Sequence, residues 1–155
     1  MSASPAEVGL VTQLLGRVPQ ADFDVVVRTA AGDPVVIRNA PLLVDGTPMP
    51  TRYWLVDPEV SRAVAQLESA GGVRRAEAEV DAQALRAAHD AYAAERDAAL
   101  DAALDPGHLG PRPSGGVGGT RHGVKCLHAH YAYFLAGGVD PVGAWVEVEL
   151  SAVTA

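Results

Sequence analysis

Between Arg121 and Tyr133 the chain gathers side chains that could do chemistry. The stretch Arg121-His122-Gly123-Val124-Lys125-Cys126-Leu127-His128-Ala129-His130-Tyr131-Ala132-Tyr133 holds the only cysteine, the only lysine, three of the five histidines and two of the four tyrosines. The rest of the chain is written mostly in Ala, Val, Gly, Leu, Asp and Arg. A thiol beside imidazoles can serve as a nucleophile, a metal ligand or one member of an acid–base pair. Cations behind a run of glycines can hold a phosphate or carboxylate.

How these roles divide depends on the element that carries them. Val124, Leu127, Tyr131, Phe134 and Leu135 recur at helical spacing, and Gly137-Gly138 supplies a stop, which predicts a helix over 120–136. One flank of that helix carries Arg121, Lys125 and His128; the other carries His122, Cys126, His130 and Tyr133. On the first flank, Gly119 and Thr120 lead into a helix N-terminus. Its free N–H groups and positive dipole end favour an anion held by Arg121 and Lys125, with Arg52 as a third candidate from a separate strand. Gly118 and Gly123 have the gap of a P-loop, but Val124 stands where that motif needs Lys.

On the second flank, Cys126 and His130 lie one turn apart and His122 one turn earlier. They are candidate ligands for a divalent transition metal, with Asp57, His89 and His108 as further ligands by residue type alone. A strand would instead line Cys126, His128 and His130 along one face. Cys126, close to a helix start and to Lys125, is also expected to have a lowered pKa. It then acts as a nucleophile with His128 and His130 as acid–base partners. The plainer reading is structural: glycines that make turns, solvated cations and a buried, inert cysteine.

The remaining elements must position this stretch. Ser4-Pro5-Ala6-Glu7 starts a helix with a capping box, carried by Val8, Val11, Leu14 and Leu15 and ended by Gly16. Phe23–Arg28 and 35–38 are β-rich runs around the turn Ala31-Gly32-Asp33-Pro34, and Pro34 suits an edge strand. The proline-punctuated segment 41–50 contains an Asp45-Gly46 turn. Thr51 to Val56 reads as a third strand, with Arg52 and Trp54 on one face as packing residues or as a ligand wall. Asp57-Pro58-Glu59 starts a second helix that Gly71-Gly72 stops. Val73 to Val80 reads as a connector or brief strand.

From Asp81 to about Leu104 runs a long alanine-rich helix, with the Glu95 to Ala99 region facing solvent and His89 as a solvated or packing residue. Asp105 to Gly119 is a Gly/Pro loop. At the C-terminus, Asp140-Pro141 signals a helix while Val146-Glu147-Val148-Glu149-Leu150 alternates like a strand; a short helix is favoured.

With 155 residues the chain is expected to form a single domain, 1–155. Its net charge of -7 argues against broad nucleic-acid binding, which needs a basic face. No apolar run reaches membrane-spanning length, and no cation precedes Arg17, so neither a membrane segment nor a secretory signal is expected. One cysteine cannot form an internal disulfide, which fits a cytoplasmic location.

Gly119 to Ala132, then Leu135-Ala136-Gly137-Gly138 and Asp140-Pro141-Val142-Gly143, resemble the signature of the bacterial domain-of-unknown-function family 501. Asp45-Gly46-Thr47-Pro48-Met49-Pro50-Thr51 with Trp54-Leu55 and Pro58, Leu14-Gly16-Arg17, and Leu67-Glu68-Gly71-Gly72 fit the same pattern. The resemblance implies an actinobacterial source and lends no activity. Members often carry cysteines in the first hairpin turn and just before the Pro58 position. Here those places read Thr29-Ala30-Ala31-Gly32 and Val56-Asp57. A four-cysteine cluster within one chain is therefore excluded, and Asp57 remains as a ligand for a harder metal.

The expected fold is α+β: a small antiparallel sheet from the N-terminal half, packed by several helices that include the alanine-rich helix and the motif helix. The expected function is a cytoplasmic anion- or metal-binding pocket on the Gly-rich loop and helix 118–136, with hydrolysis or transfer at a phosphorylated or acyl substrate as the reaction class. The partner is then a small anionic ligand, with no membrane involved and a homo-oligomer compatible. The rival is a non-enzymatic interaction or assembly protein in which the Cys/His/Lys cluster is a structural polar network.

Overall fold

The computed structural model of the chain describes residues 3–104 and 106–154; Asp105, the expected start of the Gly/Pro loop, lies outside them. The fold is α+β, as expected, and begins with helix α1, Pro5–Leu15. Ser4 Oγ accepts from the Glu7 N–H at 3.2 Å while Glu7 returns the bond to the Ser4 N–H at 2.9 Å. Strands β1 (Phe23–Arg28), β2 (Pro34–Asn39) and β3 (Tyr53–Leu55) follow in an antiparallel sheet of order β1-β2-β3. β2 is therefore the central strand, not the edge that Pro34 suggested. Pro34 is tolerated because it is the first residue of the strand, where a missing N–H breaks little of the ladder.

Alternation along the strands gives the sheet two faces with separate cores. Ile37 and its cross-strand partner Trp54 join Phe23 and Val11 of α1 in a small cluster. Val36, Leu55 and Tyr53 belong to the main core, which is otherwise helical. That helical layer comprises α2 (Pro58–Ser69), α3 (Gly72–Glu79), α4 (Ala82–Ala103), α5 (Leu127–Leu135) and α6 (Pro141–Thr154). Tyr92 of α4 ties the layers together: its hydroxyl accepts the N–H groups of Arg52 and of Tyr53, the latter at 3.2 Å.

Four elements differ from expectation, each for a physical reason. Residues 73–79 are not a connector or strand but belong to α3, with Val80 as its extended C-cap: Val73, Ala76 and Val80 pack on the main core at helical spacing and Ala76 is fully buried. The Glu95 to Ala99 region does not all face solvent, since Arg96 is completely buried. The C-terminal segment is a helix, as favoured, and at 14 residues not a short one. Asp140 caps it through the N–H groups of Val142 (2.8 Å) and Gly143 (3.1 Å).

The fourth difference bears most on function. The motif helix begins at Leu127, not near Thr120. Gly123 sits at φ 63°, a left-handed value that interrupts a helix, and Cys126 is extended as the N-cap residue. Arg121, His122 and Lys125 therefore stand on a turn, and the two helical flanks do not form. Among the described residues no helix is long and apolar enough to cross a membrane.

Candidate functional site

The Gly-rich segment is held from below by α4. Arg96 Nη1 donates to the carbonyl oxygens of Gly115 (2.9 Å), Pro50 (3.3 Å) and Ser114 (3.4 Å). About two turns earlier on the helix, His89 accepts the Val117 N–H on Nδ1 at 3.0 Å, so its proton is on Nε2 and is donated to Gly123 O at 2.9 Å. Burial, opposed in part by the Gly123 bond, pushes the His89 pKa below the ordinary histidine value. The contact leaves no room for a side chain at Gly116, where a Cβ would fall 2.6 Å from that of His89.

Beside His89 lies a second buried histidine. The rings of His89 and His130 are 5.5 Å apart and nearly perpendicular. His130 Nδ1 donates to Asp140 Oδ2 at 2.7 Å, and both side chains are sealed from solvent. The other oxygen of Asp140 is the α6 cap, so one carboxylate joins α5 to α6. His130 Nε2 is buried with no hydrogen-bond partner among the described residues.

Several N–H groups along this stretch already have acceptors within the protein. Glu68 of α2 takes the Leu127 N–H at the start of α5 (2.7 Å) and pairs with His128 Nδ1 (3.0 Å). Glu77 of α3 takes the Val124 N–H at 3.2 Å. The Gly119 N–H goes to Gly116 O, and Thr120 closes on Gly116 through its carbonyl and on His122 through its hydroxyl. The positive end of α5 is thus met by the protein's own carboxylate.

Each predicted residue can now be placed. Cys126 is half-buried at the α5 cap, and its thiol is pushed up, not lowered: burial dominates, the nearby Glu68 charge adds to it, and the amides of Ala129 and His128 only partly offset both. This direction is opposite to the lowering expected from the sequence. His128 has acceptors at both nitrogens, Glu68 and the carbonyl of Ser61 (3.2 Å), and stacks on Trp54. His122 is exposed on the turn 121–123, and Asp57 caps α2. Cys126, His130 and His122 are not brought together, and among the described residues no three His, Cys, Asp or Glu side chains are gathered to hold a metal ion. Arg52 lies apart from Arg121: it donates to Asn39 O at 2.9 Å and pairs with Glu95 at 3.5 Å. Lys125 is exposed, its stem running past Gly118.

What the structure does assemble is a cleft of about 240 Å³ between the first half of α4, α3 and the turn 121–123. Glu77, Arg86, Arg121 and His122 line it together with the buried His89. Neither arginine has an acidic partner among the described residues. Residues 25–148 match the profile of a family described as "Protein of unknown function (DUF501)". The chain belongs to that family. No curated protein matches it, and no solved structure does. The part matched by the DUF501 profile includes every residue of this cleft.

Sequence reading missed Arg86, Glu77, Glu68, Arg96 and Asp140 as participants. Arg86 was accessible to it, being three residues before His89 and so on the same face of a helix correctly expected. Glu68 and Glu77 carried no local signal, since their partners are 59 and 47 residues away.

Proposed function

We propose that this protein binds a small anion, a phosphate or carboxylate group, in the cleft between Arg86 and Arg121. The observation that carries this reading is two arginines, without an acidic partner among the described residues, lining one cleft in a chain of net charge -7. Arginine presents a planar fork suited to such oxyanions, and His89 below it is fixed in one tautomer by two hydrogen bonds. Lys125 and residues 118–120, the other expected anion contacts, are not among the residues that line this cleft.

Hydrolysis or transfer at the bound group is the less supported half of the expectation, because Cys126 lies at a different place with a raised pKa. Cys126, His128 and His130 are better read as the structural network of the rival hypothesis, with the anion cleft built on top of it. A cytoplasmic setting agrees with a thiol that has no disulfide partner.

The test is thermal stability in rising inorganic phosphate and pyrophosphate. A ligand at 100 times its Kd stabilises by about 2.7 kcal/mol. Saturable stabilisation is expected in wild type and in Arg62→Gln, an exposed cation elsewhere, and is expected to be lost in Arg86→Gln and Arg121→Gln. An equal response in all four proteins would mean the cleft is not the site.

A further inference from the structure

The opposite side of the molecule carries a second cleft of different character. Helix α1 covers only part of its face of the sheet. Where the chain leaves α1 at Gly16, a cavity of about 260 Å³ remains over the sheet. Leu15, Ile37, Met49 and Trp54 supply apolar walls, and the nearly buried Asn39 adds an amide. Arg17 is the one charged residue lining it, and among the described residues it has no acidic partner.

We propose that this cleft binds a small amphipathic carboxylate, with its hydrocarbon part against Trp54 and Met49 and its carboxylate on Arg17. Size sets the first limit: at ~30 Å³ per water-sized group the space holds about nine such groups, which suits a chain of roughly six to eight carbons. Charge sets the second, because a single guanidinium matches a monoanionic carboxylate in a two-bond fork. A phosphate dianion would leave its remaining oxygens facing apolar walls. Flat apolar surface beside one cation at the rim is the usual composition of a small-molecule site. The competing account is that Arg17 only compensates the carbonyl end of α1, two residues behind it.

Trp54 reports on this cleft, since one part of the indole lines it and its ring also stacks on His128 of α5 at 6.4 Å. Trp145 is the only other tryptophan, so Trp145→Phe isolates the signal. We would titrate that variant with octanoate and with octanol, following Trp54 fluorescence, and repeat both titrations with Arg17→Gln and with Arg121→Gln added. The expected result is a saturable change with octanoate, weakened at least tenfold by Arg17→Gln and unchanged by Arg121→Gln, with octanol binding weakly and equally in all. No saturable change overturns the proposal. So does octanol binding as tightly as octanoate, which is the outcome if Arg17 serves only the helix end. Loss of octanoate binding on Arg121→Gln alone places the ligand in the other cleft and also overturns it. Arg17 is exposed, so its replacement leaves the fold intact for comparison.

Discussion

Replacing Arg96 by methionine tests whether the Gly-rich loop is held by hydrogen bonds to a buried charge. Arg96 is fully buried, and among the described residues its one carboxylate partner is Asp97, whose side chain is 40% exposed. The native contribution is therefore carried mostly by carbonyl oxygens. The bond to Gly115 O, at 2.9 Å and buried, is a full charge-assisted bond of about 1.5–3 kcal/mol. Those to Pro50 and Ser114, at 3.3 and 3.4 Å, are long and add little. Against this stands the desolvation of the guanidinium, which methionine does not have to overcome.

Methionine fills much of the same volume, so the cavity term is small, while Gly115 O is left buried without a donor. The balance is a net loss of roughly 2 kcal/mol, which at an m-value of ~1–3 kcal/mol/M moves the urea midpoint down by about 1 M. Amide exchange gives the spatial check. The Val117 and Gly119 N–H groups, held by His89 and Gly116, should exchange faster in the variant, while those pairing β1 with β2 should exchange at wild-type rates relative to global stability. A variant within 0.5 kcal/mol of wild type would refute the reasoning, for it would mean that desolvation cancels the bonds and that something else fixes the loop.

Two further outcomes follow from the same network. The folded-state pKa of His89 is below its unfolded value near 6.5, so the unfolded chain takes up its proton first as pH falls. Its contribution to stability is complete above that value and is lost as pH drops through it towards the folded pKa; denaturation of wild type against His89→Leu should show a pH-dependent difference over that window, no steeper than about 1.4 kcal/mol per pH unit, and a constant difference would contradict a neutral His89. Cys126, with its thiol pushed up by burial, should react with a disulfide reagent more slowly at pH 7 than an unfolded control and accelerate only at higher pH than an ordinary thiol; rapid labelling at neutral pH would contradict the burial assigned to it.

Much of the fold was legible because its signals are local. Ser4-Pro5-Glu7, Asp57-Pro58 and Asp140-Pro141 each place a capping side chain within three residues of the N–H it satisfies, and all three helices start there. The Asp45-Gly46 turn is similarly local, with Asp45 accepting the Thr47 N–H. The start of α5 was not legible. Val124, Leu127 and Tyr131 keep a helical rhythm straight through Gly123, and nothing nearby contradicts it. What sets the observed backbone is distant: Glu77 takes the Val124 N–H, Glu68 the Leu127 N–H and His89 the Val117 N–H, and these acceptors belong to three different helices. The same holds for Arg96, which is hydrophilic by type and is buried where carbonyls 18 to 46 positions away along the chain converge on it.

That distance also explains why residue types alone did not show which polar groups serve the backbone. Histidine, glutamate and arginine are the groups a catalytic centre uses, and they are equally the groups that satisfy an irregular backbone, which cannot pair with itself as a helix or sheet does. A glycine-rich segment buried against α4 needs many such partners, and Arg96, His89, Glu68 and Glu77 are used in this way. Residue type alone does not separate the two uses; the direction of each polar atom does. The ring nitrogens of His89 and the carboxylate oxygens of Asp140 turn inward to fixed partners. Arg86 and Arg121 turn towards the same cleft with no fixed partner among the described residues. The inward set therefore serves the backbone, and Arg86 of α4 and Arg121 of the turn, without an acidic partner among the described residues, are where the proposed anion would bind.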